Sequence, residues 1–275
     1  MKNTLYIALL LLGLTSCQKE TFTIVNLNGS EIYVLGHGGM GMIANAYPIN
    51  SLESIGLCLL NNAHGSEIDV QLTSDGVLVA YHDHDLSEST DMSGIIHSMT
   101  WEEVQKANYT NLPYQSYDIV SLENILSAID GYDSKLFTFD IKLYPADSDQ
   151  AAYHDQFTDA IVALFNKYKL DNSVYIESQN TDFLTMMQSK KPNYMLYIYP
   201  QTFEEGLSKS LIYGFRGMTI ASHAITVEQV QEAHDQGVYV TIWGVVTKDE
   251  NIEAVRKNPD VIQTDKVEYL VDLLQ

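Results

Sequence analysis

Cysteine is almost absent from this chain, occurring only as Cys17 and Cys58. A disulfide framework therefore cannot hold the fold together. Basic side chains are scarce too, with 15 Lys and Arg against 36 Asp and Glu and a formal net charge of −21 at pH 7. Affinity for nucleic acid comes largely from phosphate neutralisation by Lys and Arg, so a nucleic-acid partner is excluded, while a solvated acidic surface or cation binding is compatible. Past the first residues no apolar run reaches the roughly 18 positions of a membrane span. Linkers rich in Pro, Gly or Ser, low-complexity runs and solenoid repeats are missing as well, so nothing divides residues 31–275, which suit one large single-domain fold.

The N-terminus does carry a signal. Residues 1–16 read MKNTLYIALLLLGLTS, with one basic residue and an apolar run too short to span a membrane. Leu14-Thr15-Ser16-Cys17 fits a bacterial lipobox, which predicts export, cleavage before Cys17 and lipidation of its thiol. The expected location is the bacterial cell envelope, with the membrane reached through the lipid anchor alone and no protein partner implied. Residues 17–30 then form the lipidated N-terminus and a flexible tether, and Cys58 is expected to be a small core residue on a helix.

Short β-rich runs alternate with amphipathic helical stretches. Eight candidate strands are read at 32–37, 66–72, 136–142, 174–178, 194–199, 217–221, 238–245 and 260–265. Helical patterns fall at 51–63, 151–169, 181–190, 226–237 and 248–258. This alternation predicts an α/β fold, a closed (β/α)8 TIM barrel, with residues 85–135 as a small insertion between strands 2 and 3. The runner-up, an open doubly wound sheet, lacks a Gly-x-Gly-x-x-Gly after the first strand.

In such a barrel, chemistry gathers where strands end at the carboxyl rim. Those ends carry His37, then Glu67 and Asp69, which share a strand face because side chains alternate, then His82, Asp140, Lys142 and Glu177. Carboxylates crowded on one rim repel unless a cation sits among them, and an all-oxygen donor set favours Ca²⁺ or Mg²⁺ over zinc. With a lysine to hold phosphate and two imidazoles as base and acid, the set suits phosphoryl transfer. Glu177 reads equally well as a fourth acidic contact or a surface residue, and His84 as solvent-exposed.

The stretch HGSEIDVQLTSDGVLVAYHDHDLSEST (64–90) resembles the signature of glycerophosphodiester phosphodiesterases, and the likeness extends through VSLENIL, FDIK, VYVTIWGV and DVIQTD. The resemblance implies a metal-dependent barrel enzyme that cleaves a small-molecule glycerophosphodiester to glycerol 3-phosphate and an alcohol. It makes Glu67, Asp69 and Asp140 metal ligands, His37 and His82 the general base and acid, Lys142 a phosphate contact and Trp243 a wall of the pocket. Three positions depart from the family pattern. Gly38 stands where an arginine normally follows the first histidine, Ile49 replaces the glutamate of Pro-Glu-Asn, and Asp140 is one methylene shorter than the usual glutamate. Asp-x-Lys also resembles sphingomyelinase D-type phospholipases, although their C-terminal motif is absent. Loss of the arginine admits a third reading, a catalytically silent barrel that binds a phosphodiester or glycan.

Overall fold

The computed structural model describes residues 21–42, 47–110, 116–146, 149–171 and 173–275; the leader and Cys17 lie outside them. The sequence-predicted barrel is present. Strand β1 (Tyr33–Gly36) pairs in parallel with β2 (Gly65–Leu72). Two short strands, β3 (Leu78–Ala80) and β4 (Val120–Ser121), add antiparallel pairing to the outer end of β2. The wall continues through β5 (Leu136–Ile141), β6 (Val174–Ser178), β7 (Met195–Ile198), β8 (Gly217–Ala221), β9 (Tyr239–Val245) and β10 (Val261–Thr264). Pairing of β10 with β1 closes it, with Tyr33 opposite Val261.

Helix α1 (Leu52–Leu60) links β1 to β2, and α2 (Trp101–Val104) and α3 (Leu122–Ala128) lie between β2 and β5. The remaining connections are α4 (Gln150–Tyr168), α5 (Thr181–Lys190), α6 (Phe203–Tyr213), α7 (Val227–Asp235) and α8 (Lys248–Arg256), with α9 (Val267–Leu274) last. Side-chain oxygens of Ser51, Ser121, Asp149, Asn180, Thr202, Thr226 and Thr247 accept backbone N–H groups at the helix starts, each cap being worth about 1 kcal/mol. Helix α3 is the barrel crossover into β5. The added structure at 86–110 and 116–119 packs on Val79 of β3 and on Tyr81 in a small core completed by Leu86, Ile96, Val104, Ala107, Tyr109 and Ile119.

Two apolar layers hold the barrel. The outer one lies between strands and helices and includes Ile68, Val70, Phe139, Ile176, Met218 and Ile262, with Cys58 buried on α1 as expected. The inner one is confined to the amino ends of the strands, here the floor, where Leu35, Tyr175, Tyr197 and Val261 fill the lumen. The Tyr175 and Tyr197 rings stack at 4.6 Å, and Gly217 leaves room, since a Cβ there would lie 2.6 Å from Tyr197. Above this plug the lumen turns polar. Glu67, Thr138, Glu177, Thr219, Thr241 and Gln263 are all buried, so the floor is the packing end and the mouth is free for chemistry.

The stretch expected to form a flexible tether is instead docked from Phe22 onward. Phe22 and Ile24 pack on the outer layer, and Asn26 and Gly29 close a tight turn. The Val25 amide donates to Asn258 Oδ1 at 3.1 Å and the Leu27 amide to Asp260 Oδ1 at 2.8 Å. Asp260 is fully buried, and its other oxygen takes Val240 N–H at 2.8 Å and lies 2.9 Å from His234 Nε2. A buried carboxylate without donors would cost several kcal/mol, so residues 25–28 complete a shell the floor requires.

Gly65 fixes the approach of β2 to β5, because a Cβ there would meet the Leu136 carbonyl oxygen at 1.5 Å. Gly65→Ala is expected to lower the melting temperature by several degrees, consistent with an overpacking cost of about 1–3 kcal/mol. An unchanged melting curve would contradict this register.

Candidate active site

The mouth is built from β2, β5 and β6. Strand pairing sets Asp69 beside Asp140 and Asp140 beside Glu177. Carboxylate oxygens of Glu67, Asp140 and Glu177 all lie within 4.8 Å of one another. Among the described residues these three form a group that could hold a metal ion. The sequence reading named Glu67, Asp69 and Asp140; the structure groups the first and third with Glu177, a buried residue and not a surface one. Asp69 has other partners. Lys142 Nζ lies 3.0 Å from Asp69 Oδ1 and 2.6 Å from Asp140 Oδ2, and Asn50 Nδ2 donates to Asp69 Oδ2 at 2.6 Å.

Charge is unevenly met in this cluster. Burial, reinforced by Asp69, Asp140 and Glu177, holds the Glu67 carboxyl well above the usual carboxylate range. Glu177 is pushed up to about 8 by burial and then by Asp140, although Thr219 and Gln263 donate to it. Burial also raises Asp140, against the pull of Lys142. At Asp69 burial acts in the same direction, but Lys142, His82, Asn50 and His37 outweigh it and the carboxyl is lowered. One lysine cannot neutralise four carboxylates. Glu67 Oε2 accepts the Gly38 amide at 2.8 Å, whereas its Oε1 is buried with no partner among the described residues.

Both histidines stand at this mouth. His37 Nδ1 is 2.8 Å from Asp265 Oδ1, just past the end of β10. Burial opposes protonation of His37, yet the hydrogen bond and charge of Asp265 win and raise its pKa. With Asp265 accepting from Nδ1–H, Nε2 is left as the nitrogen that takes a proton. His82 Nδ1 is likewise 2.9 Å from Asp83 Oδ1, with 44% of its side chain exposed. Gln71, the third polar residue on the face of Glu67 and Asp69, donates to the carbonyls of Tyr81 (2.9 Å) and Asp83 (2.8 Å) and so clamps the chain on both sides of His82.

Trp243 meets Tyr199, ring centroids 5.3 Å apart, and its Nε1 is buried without a partner among the described residues. His84 is exposed, edge-on to Tyr144. Gly38 adopts φ +54°, and a Cβ there would come within 2.7 Å of Ile49 Cβ. No arginine takes the place of the missing one, since Arg216 lies on the floor beside Tyr239 and Arg256 ends α8. Sequence reasoning missed Asp265, Asp83, Asn50 and Gln71, each of which orients a named site residue.

A closed parallel barrel with an acidic, histidine-flanked carboxyl rim defines a TIM-barrel hydrolase site. The profile of the glycerophosphoryl diester phosphodiesterase family matches residues 43–269, and the chain belongs to that family. A glycerophosphodiester phosphodiesterase of Bacillus altitudinis is 31% identical over 99 residues, covering 35% of this chain and 40% of that protein. One from Caldanaerobacter subterraneus subsp. tengcongensis is 25% identical over 239 residues, 83% of this chain and 93% of that protein. An Oleispira antarctica phosphodiesterase, solved with the product sn-glycerol-3-phosphate, shares the fold at TM-score 0.77 and 20% identity, covering 88% of this chain and 96% of that one.

Glu177 yields a stability test. Its pKa rises from 4.5 to about 8 on folding, so between those values the folded state keeps a proton that the unfolded state has lost. Its contribution to stability is therefore complete below the unfolded value and is lost as pH rises toward 8. Thermal unfolding of chelator-treated protein should fall across that range, and Glu177→Gln should flatten the fall. Parallel pH profiles for the two proteins would remove the assignment.

Proposed function

We propose that this chain is a divalent-cation-supported phosphodiesterase, lipid-anchored through Cys17, that cleaves glycerophosphodiesters to glycerol 3-phosphate and an alcohol. The observation that carries the reading is the pair of histidines at the mouth, each hydrogen-bonded through Nδ1 to an aspartate, above buried carboxylates sharing one lysine. Family membership supports the same chemistry.

The donor set fits a hard cation. Glu67, Asp140 and Glu177 offer only oxygen, and the partnerless Glu67 Oε1 is a buried acceptor awaiting a positive charge. Bound there, Ca²⁺ or Mg²⁺ would neutralise phosphate charge and polarise a phosphoryl oxygen. Lys142 holds Asp69 and Asp140 and meets a phosphate oxygen. His37, fixed by Asp265, takes the proton of the attacking substrate hydroxyl as its oxygen bonds to phosphorus. His82 gives a proton to the departing alcohol oxygen, and its exposure suits a leaving group that returns to solvent. The cyclic phosphate so formed is then opened by water. Trp243 and Tyr199 wall the pocket, with the Trp243 N–H free to donate to an organic hydroxyl.

The test is turnover of glycerophosphocholine and related diesters, sphingomyelin included, by protein lacking residues 1–17. Activity should vanish with EDTA and return with a single ion. His37→Ala and His82→Ala should each lower kcat on the order of 10²–10⁴-fold without changing the melting temperature. Silence toward every diester, or full turnover in His82→Ala, would overturn the reading.

Asp265 is a positioning residue for the same step. Asp265→Asn should reduce kcat with little change in KM, and the acid limb of the pH profile should move to lower pH because His37 loses the partner that raises its pKa. An unmoved limb would show that the contact is only structural.

A further inference from the structure

We propose that the barrel floor faces the membrane and the mouth faces water, so that the anchored protein acts on water-soluble diesters and not on lipids of the bilayer that holds it. This rests on the phosphodiesterase reading above and on lipidation at Cys17. The docking of residues 24–28 on the floor is independent of both. The first described residues are bound to the floor. Val25 and Leu27 hydrogen-bond Asn258 and Asp260, the Tyr239 hydroxyl donates to the Leu27 carbonyl at 3.2 Å, and Ile24 lines a surface cavity with Leu274 at the far end of α9. Asn258 and Asp260 immediately precede β10 and Tyr239 begins β9, so all mark the amino ends of strands.

Lengths then decide the orientation. Four peptide links join Cys17 to Thr21, and fully extended they reach at most about 14 Å. The 8 residues of β2 span about 26 Å, or on the order of 20 Å along the barrel axis after strand tilt, before any mouth loop is added. A leash of this length cannot pass along the wall and turn the mouth onto the bilayer. It can only hold the floor near the headgroups. That face also carries Lys135 and Arg216, beside Asp133, around a cavity of about 440 Å³, which places two of the chain's few cations toward lipid phosphates.

The experiment uses full-length lipidated protein on phosphatidylcholine vesicles containing a headgroup-labelled acceptor lipid. A donor dye is attached to a single introduced cysteine, either Asp133→Cys on the floor or His223→Cys just past β8 at the mouth. Cys58 does not compete, being buried with its thiol pushed up to about 12. Energy transfer should be clearly stronger from position 133 than from position 223. Equal or reversed efficiencies would overturn the orientation, and failure to float with the vesicles would overturn the anchor and the orientation with it.

A turnover arm reads the substrate class on the same vesicles. Glycerophosphocholine in the bath should be cleaved within about twofold of the rate of the protein lacking residues 1–17, and lysophosphatidylcholine held in the bilayer should not. Preferential cleavage of the embedded lipid would sink the proposal. Strong transfer from the floor label with no turnover of any diester would leave the orientation standing and remove the catalytic reading together with the substrate class.

Discussion

Lys142 lies between Asp69 and Asp140, and the rest of the mouth is arranged around that contact. Buried ion pairs seldom add net stability, because desolvating the partners costs about as much as their attraction returns. Here the imbalance is greater, with Glu67 and Glu177 also inside and, among the described residues, no second lysine or arginine acting on them. Such a cluster is tolerable because the barrel separates its tasks. The tyrosine plug on the floor and the helix-facing layer supply the cohesion that the mouth lacks.

The two charged-to-neutral departures from the family pattern are one change in space. Residues 38 and 49, where the family carries an arginine and a glutamate, touch in this chain, and both are uncharged. Losing the cation alone would have left an unpaired acid beside an already acidic cluster. The backbone at Gly38 adopts a left-handed turn, and its amide donates to Glu67. The loop at Gly38 thus supports a carboxylate, while Asn50 next to Ile49 braces Asp69.

Much of this was legible in the residues. All eight barrel strands followed from their β-branched and aromatic runs, and the shared face of Glu67 and Asp69 followed from strand alternation. What could not be read depends on contacts between distant elements. Glu177 reads equally well as an acidic contact or an exposed strand end until β6 is placed beside β5. Asp265 acquires meaning only when β10 closes on β1 and brings it to His37. Helix α6 does not show in the sequence pattern because Gly206 and two serines interrupt its apolar face, yet that glycine is needed where a Cβ would press on Pro200 and Met218. The polar stretch before β1 reads as a tether because the partners that dock it on the floor lie more than 200 residues away.

Those distant partners bear on how the chain folds. Both the closing of β10 on β1 and the latch of residues 25–28 onto Asn258–Asp260 join opposite ends of the chain, so the loop that must close is nearly the whole protein. Contacts of such high sequence separation form late and slowly. Until the last strand has been made, Asp260 is missing, the floor is open and β1 has one edge unpaired. A newly made chain of this design stays without its finished barrel throughout synthesis, which is the state a polypeptide needs if it is to be threaded across a membrane before it folds.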